Sequence, residues 1–207
     1  KQGSITVSGH TITARNPVHR IYQGRGESAG FSGWFAITFD KPFDVIHNEA
    51  GSQYMTISFG QETSVTASIG SSFTGAGAAL ANLRAEIPAA DFEKLRKETE
   101  DVWNKTLGKI KVKGGTEEDL VKFYTALYHC YQLPRIATDV DGSYTGFAED
   151  DKIHKAEGFD YYDDFSMWDT YRALHPLMTI LEPERTSGMV KSLIMKAEQG
   201  GWMPIFP

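Results

Sequence analysis

The stretch PAADFEKLRKETEDVWNKTLG, residues 88–108, marks the point where the hydrophobic pattern of this chain changes. Before Pro88, apolar residues recur at every second position, which is the period of a β-strand with one buried face. After it they follow helical spacing, in a stripe made by Phe92, Leu95, Thr99, Val102, Trp103 and Thr106. Asp91 can cap this helix and Gly108 can end it. We therefore expect strands before about residue 75, a helix over 91–107 and mostly helices after 116.

Four segments before Pro88 are short and rich in β-branched and aromatic residues. They are SITVSGHTITA (4–14), GWFAITFD (33–40), QYMTISFG (53–60) and TSVTASIG (63–70). Their alternation predicts antiparallel strands that bury Phe35, Ile37 and Phe39, then Met55, Ile57 and Phe59, then Val65, Ala67 and Ile69. Four or five strands are too few to complete a sandwich. We therefore interpret residues 1–87 as the C-terminal part of a β-sandwich domain.

The remainder of the chain is predicted to be helical. Residues 88–115 form a helical linker, and residues 116–207 hold the first helices of a truncated helical domain. Those helices are expected over 116–133, over 166–181 with a kink at Pro176, and over 183–198. The stretch 134–165 between them is irregular and long for a compact domain, which is typical of functional or locally ordered loops. We expect the chain to be an internal slice of a larger protein.

Composition excludes several classes of function. The 207 residues carry a net charge of −6 and no basic block, which argues against a nucleic-acid partner. No apolar run reaches 18 residues, so no membrane span is predicted. The single Cys130 can form neither an internal disulfide nor a thiolate zinc site, and its place on a helix favours a core role. The six histidines show no zinc-ligand spacing.

Two motifs resemble ligand-binding loops and fail on inspection. GRGESAG (24–30) has the spacing G-x-G-x-x-x-G without a parallel strand-to-helix context, so a turn is the better interpretation. DVDGSYTGFAED (139–150) resembles a calcium loop, but the glycine required at its sixth position is replaced by Tyr144. We expect a turn there with side-chain bonding from Asp139 or Asp141.

The stretch GFDYYDDFSMWDTYRALHP (158–176) is the candidate site, because it combines carboxylates with aromatic rings. Its acids are Asp160, Asp163, Asp164 and Asp169. The structural interpretation of Asp169 is a capping box with Ser166 and a surface pair with Arg172. The functional interpretation is a sugar site, in which a ring stacks on Trp168 and its hydroxyls donate to Asp169. The other three acids are expected to be solvent-facing turn residues.

Three segments together resemble glycoside hydrolase family 92, the bacterial exo-acting α-mannosidases. They are ANLRAEIPAADFEKLRKETEDVWNKTLGKIKVKGGTEED (81–119), FYTALYHCYQLPRIATDVDGSYTGF (123–147) and GFDYYDDFSMWDTYRALHPLMTILEPERTSGMVKSLIMKAEQGGWMPIFP (158–207). The resemblance, which covers roughly residues 50–207, implies an α+β protein in which an antiparallel β-sandwich is followed by a helical linker and the start of an (α/α)6 barrel. It also implies contact of Asp169 with a terminal mannose, and less strongly of Trp168.

The resemblance further implies inverting hydrolysis of α-mannosides, α-1,2-linked ones in N-glycan-like substrates, with a calcium ion in the sugar subsite. Mannose-containing glycans and the rest of the parent polypeptide would be the partners, in a secreted, periplasmic or cell-surface location. The family's general acid, general base and main calcium ligands lie beyond this chain. We therefore assign no catalytic or metal-binding residue here and expect the 207-residue chain alone to be inactive.

Two other functions fit the same layout. One is a non-catalytic carbohydrate-binding or adhesion protein, and the other is a structural scaffold between domains. Fold alone does not separate them from an enzyme. Downstream acidic residues and calcium ligands in the parent gene favour the enzyme, and their absence favours the binding protein.

Overall fold

The computed structural model describes residues 3–19, 28–47 and 54–206. They form two compact units, residues 1–91 with 138–156 and residues 92–137 with 157–207. The first is built mostly from strands and the second mostly from helices, as the pattern change at Pro88 predicts. The division into a sandwich, a linker and a helical domain at residues 87 and 115 stays a prediction.

The described residues contain ten strands and six helices. The strands are β1 Ser4–Ser8, β2 Thr11–His19, β3 Ser28–Phe39, β4 Asp44–His47, β5 Thr56–Ser58, β6 Ala67–Ser72, β7 Arg135–Ile136, β8 Ser143–Thr145, β9 Ile153–Lys155 and β10 Tyr162–Asp163. The helices are α1 Ala76–Glu86, α2 Phe92–Leu107, α3 Glu117–Cys130, α4 Met167–Thr170, α5 Leu174–Leu181 and α6 Pro183–Gly200.

The first unit is organised around a four-stranded antiparallel sheet in the order β1-β2-β3-β6. Its register places Ile12, Ile37 and Ile69 in one row across β2, β3 and β6. Separate two-stranded pairs are formed by β4 with β5 and by β8 with β9, and the second unit contains the pair β7 with β10. Antiparallel pairing throughout these described strands agrees with the period-two pattern.

Helix α1 packs on this sheet and was not predicted from the sequence. Its Ala79 and Leu83 form a buried cluster with Ala36 of β3. The helix approaches β6 so closely that a Cβ placed on Gly70 would lie 2.5 Å from the Ala79 carbonyl oxygen. The sequence AGAALANLRAE lacks an apolar stripe, so only its alanine content could have signalled a helix.

The prediction of the buried face of β3 and β6 was therefore wrong. Ala36 and Ser72 are buried on the face that α1 covers, whereas Phe35 is 37% exposed and Ile69 is 56% exposed on the opposite face. Small residues lie under α1 because close approach of helix and sheet leaves no room for larger side chains. A hydrophobic alternation identifies one face of a strand, but not which face a neighbouring element covers.

Helices α2, α3 and α5 share the core of the second unit, in which Leu127, Tyr131 and Met178 are buried. Trp103 of α2 packs against this core, as its stripe predicts. Phe92 and Val102, predicted on the same stripe, are exposed, and no described residue of α2 is fully buried. The residues of α2 that pack against this core thus lie in its C-terminal half.

Helix α3 follows its prediction at one end. Thr116 and Asp119 form a reciprocal capping box, which fixes the start at Glu117. The helix ends at Cys130, three residues earlier than predicted, because residues 131–133 form a turn. Cys130 is partly buried against the same core, as expected for a core thiol.

The prediction of one kinked helix over 166–181 was wrong. The chain forms the short helix α4, a turn at residues 171–173 and then α5. Pro176 is the third residue of α5, where a backbone N–H has no intrahelical acceptor, so proline is tolerated without a kink. Helix α6 begins at Pro183 as predicted and extends to Gly200, two residues past its expected end.

Glu182, in the link between α5 and α6, ties three parts of the second unit together. Its Oε1 accepts from Lys109 Nζ at 2.5 Å and from the Tyr131 hydroxyl at 3.0 Å. Burial opposes the charge of Glu182, but these hydrogen bonds outweigh it and lower the pKa of the carboxyl. Burial, followed by the bond to Glu182, raises the pKa of Tyr131 to about 12.

Gly70→Ala is expected to lower the free energy of unfolding of the full-length protein by about 1–3 kcal/mol. The added methyl group meets backbone atoms of α1, which cannot rotate away. Chemical denaturation measures this change. Gly77→Ala is the control, since nothing beyond its own stretch of helix lies within 4 Å of its Cβ position, and it should leave stability unchanged or raise it by up to about 1 kcal/mol. Equal effects of the two substitutions would contradict the packing of α1.

Glu182→Gln is expected to lower the unfolding free energy by about 1.5–3 kcal/mol at pH 7, because two hydrogen bonds lose a charged acceptor. A carboxyl with a lowered pKa in the folded state stabilises the protein above its unfolded pKa and stops doing so as pH falls through the folded value. The difference between native protein and variant should therefore shrink below about pH 4.

Denaturation curves at pH 7 and pH 3 test this prediction. Glu118→Gln is the control, because its pair with Lys122 is exposed and contributes little. A stability difference for Glu182→Gln that stays constant between the two pH values would contradict the assigned role of the carboxylate.

Candidate functional site

The candidate site segment is anchored in the core of the second unit by buried aromatic residues. Tyr162 of β10 and Phe165 are buried with Met189 of α6 in one cluster. Between them, Asp164 adopts a left-handed backbone conformation with φ 62, which turns the chain towards α4. At the start of α4, the Met167 N–H donates to the carbonyl of Ile205. These contacts fix the residues on both sides of Ser166.

Trp168 and Asp169 are the second and third residues of α4, and both are exposed. The Trp168 side chain is 62% exposed. Ser166 Oγ donates to Asp169 Oδ2 at 2.7 Å and makes no bond to the helix backbone. The predicted capping box is therefore reduced to one bond between the two side chains. The guanidinium of Arg172, the predicted partner of Asp169, lies over the Tyr171 ring at 5.4 Å.

Two of the other acids, Asp163 and Asp164, remain partly exposed but are also paired with cations, which their interpretation as solvent-facing turn residues did not include. Asp163 accepts from Lys196 Nζ at 2.8 Å. Asp164 accepts from Arg135 Nε at 2.6 Å, across the pair of β7 with β10. Asp160 is exposed as expected.

A cavity of about 300 Å³ lies beside Asp169 in the second unit. It is lined by His129, Gln132, Leu133, Pro134, Asp164, Ser166, Thr170 and Leu174. The Asp169 carboxylate is exposed and is linked to this cavity through its bond to Ser166. His129 and Gln132 gave no signal in the sequence, since they lie at the end of α3 without a recognisable motif.

Residues 139–142 form the predicted turn, which leads into β8. Asp141 Oδ1 accepts from the Ser143 backbone N–H at 2.9 Å. Asp139 does something different, because its buried carboxylate accepts from Ser72 Oγ at 2.9 Å and Asn82 Nδ2 at 2.7 Å. GRGESAG (24–30) lies mostly outside the described residues.

The part of the chain that the structure describes does not fit a calcium site. Among residues 3–19, 28–47 and 54–206, no group of three or more histidine, cysteine, aspartate or glutamate side chains could hold a metal ion. The paired acids Asp163 and Asp164 face cations of the protein itself. Within the same part of the chain, no helix is long and apolar enough to cross a membrane.

Comparison with known protein families gives a match over most of the chain. Residues 78–207, from α1 to the end, match the model of the glycosyl hydrolase family 92 catalytic domain. The chain belongs to this family. An uncharacterized secreted glycosidase of Arthroderma benhamiae is 33% identical over 144 residues, which are 66% of this chain and 17% of that protein.

Solved structures of the family share the fold. A family 92 α-mannosidase from Bacteroides thetaiotaomicron is 27% identical, with a TM-score of 0.78 over 95% of this chain and 28% of its own. The same enzyme solved with mannoimidazole matches equally well. A family 92 inverting mannosidase from that organism is 25% identical, with a TM-score of 0.80 over 99% of this chain and 29% of its own.

These likenesses confirm the predicted fold class and the resemblance to the family. The helices of the described residues do not close a barrel. The chain spans less than a third of the solved relatives. None of the comparisons tests the roles of Trp168 and Asp169, which remain predictions.

Proposed function

We propose that the full-length protein is a glycoside hydrolase that releases terminal mannose from α-mannosides, α-1,2-linked ones in N-glycan-like substrates. The observation that carries this proposal is the match of residues 78–207 to the family 92 catalytic domain. Both structural relatives from Bacteroides thetaiotaomicron are mannosidases, and one of them was solved with mannoimidazole. Mannose-containing glycans are thus the proposed partners.

Trp168 and Asp169 are proposed to bind the terminal mannose. An exposed indole ring offers a flat apolar face on which the C–H side of a sugar can stack. One oxygen of Asp169 accepts from Ser166, and its Oδ1 remains available for a sugar hydroxyl. A hydrogen bond from a neutral hydroxyl to a carboxylate is stronger than one between neutral groups.

The hydrolysis is proposed to proceed with inversion. An inverting glycosidase needs an acid and a base about 6.5–9.5 Å apart, with a water molecule between them. We assign neither role to Asp163 or Asp164, because the carboxylate of each forms an ion pair with a cationic side chain of the protein. The general acid, the general base and the ligands of a calcium ion are proposed to lie outside this chain.

A secreted location is proposed for the full-length protein. Its support is the relative from Arthroderma benhamiae, which is described as a secreted glycosidase. A periplasmic or cell-surface place in a bacterium is compatible with this proposal.

Hydrolysis of α-1,2-mannobiose by the full-length protein tests the function. Proton NMR during the first minutes should show β-mannose before mutarotation, as inversion requires. Removal of calcium with a chelator should abolish the activity and added calcium should restore it. Binding of the disaccharide without hydrolysis would favour the carbohydrate-binding protein, and initial release of α-mannose would contradict inversion.

Asp169→Asn in the full-length protein is expected to lower kcat/KM for a terminal α-mannoside by roughly 10- to 150-fold. The loss corresponds to about 1.5–3 kcal/mol for one charged hydrogen bond. The amide oxygen can still accept from Ser166, so the fold should be unaffected.

Two variants serve as controls for this measurement. Asp160→Asn alters an exposed acid of the same segment and should leave kcat/KM unchanged. Ser166→Ala removes the bond to Asp169 while keeping the carboxylate, and should have a smaller effect than Asp169→Asn. Near-normal kcat/KM for Asp169→Asn would make Asp169 a helix-terminus residue without a role in binding.

A further inference from the structure

Helix α6 contacts residues 160–163 of the candidate site segment through three of its own residues, which are spaced four apart. Gly188, Ser192 and Lys196 are all buried and lie on the same face of the helix. Polar and charged groups are rarely buried on a helix unless they are paired, so this face has a specific partner. Each of the three contacts a different part of residues 160–163, which lead into α4.

The first two contacts hold the backbone of the segment. Ser192 is fully buried, and its Oγ accepts from the Tyr162 backbone N–H at 2.8 Å while donating to the Gly188 carbonyl at 2.7 Å. A Cβ placed on Gly188 would lie 3.0 Å from the Tyr162 ring and 3.1 Å from the Asp160 carbonyl. The absence of a side chain at Gly188 thus allows this close approach.

The third contact is electrostatic. Lys196 is 1% exposed, although lysine is one of the residues least often buried. Its Nζ lies 2.8 Å from Asp163 Oδ1 and 4.5 Å from the centre of the Tyr161 ring. Burial lowers the pKa of its amine, while the charges of Asp163 and Asp164 raise it. The ammonium is therefore held in contact with Asp163, three residues before Ser166.

We propose that Lys196 is a positioning residue, which holds Asp163 and the turn after it so that Trp168 and Asp169 present one sugar-binding surface. This proposal rests on the function proposed above for those two residues. The chain from Asp163 to Trp168 contains only four intervening residues, so a shift of the acid moves the start of α4 directly. Lys196 contacts no sugar itself and acts through Asp163.

Lys196→Met in the full-length protein separates positioning from a general structural role. Asp163 keeps 44% of its side chain exposed, so water can solvate its carboxylate in the variant. We expect backbone amides of residues 160–170 to exchange with deuterium about tenfold faster, without a comparable change in the rest of the unit. KM for α-1,2-mannobiose should rise about tenfold while kcat stays within about threefold.

Three further variants make the test specific. Lys196→Arg keeps the charge and should restore most of the KM and of the exchange protection. Lys122→Met removes an exposed cation paired with Glu118 and should change neither measurement. Lys196→Met combined with Asp163→Asn should resemble Lys196→Met alone, because both substitutions remove the same interaction.

Normal KM and normal exchange in Lys196→Met overturn the proposal. A lower kcat with unchanged KM, together with faster exchange throughout the unit, also overturns it. That result would mean that a smaller fraction of the enzyme is folded. Additive effects in the double variant overturn the action through Asp163. If the native protein hydrolyses no α-mannoside, the proposed function fails, and the exchange measurements alone decide whether Lys196 fixes the segment.

Discussion

The pairing of β7 with β10 is the constraint on which the arrangement of this chain depends. The chain leaves the second unit after Ala137 and returns to it at Glu157. The two ends of this excursion are joined by the register of Arg135 with Asp163, and the Ala137 N–H donates to the Tyr161 carbonyl at 2.8 Å. Because residues 135–137 and 161–163 are fixed to each other, the segment that follows β10 can pack against α6. This packing determines where α4, and with it Trp168, begins.

Buried polar groups in both units serve these connections. In the first unit, Asp139 accepts from side chains of β6 and α1, which attaches the excursion to the sheet. In the second, Glu182 joins Lys109 to Tyr131, and Lys196 joins α6 to β10. Burying the charged groups of Asp139 and Lys196 carries a desolvation penalty, so their contacts are better suited to fixing one arrangement than to adding stability. We interpret them as the contacts that specify the register of the irregular segments.

The sequence predicted those parts of the structure that have strong hydrophobic periodicity. Helices α2, α3 and α6 lie within three residues of their expected bounds, because each has an apolar stripe and recognisable end signals. Helix α1 was not predicted, because its alanine-rich sequence has no apolar stripe. The break between α4 and α5 was not predicted, because the hydrophobic periodicity of the sequence continues through it. At the candidate site, Trp168 and Asp169 were predicted from their chemistry and from the family resemblance. The burial of Lys196 could not be predicted, since nothing in a sequence separates a buried lysine from an exposed one.

The first unit is built from two separate stretches of the chain, and this has a consequence for biosynthesis. Its sheet and α1 emerge from the ribosome before the rest of this chain, but Asn82 reaches the carboxylate of Asp139 only when that residue emerges 57 residues later. At about 5–20 residues per second this interval lasts about 3–11 s, during which the helices α2 and α3 are also being made. The early strands must therefore persist as an incomplete unit on the growing chain. Slow translation of residues 92–137 would prolong this stage and the need for protection by chaperones.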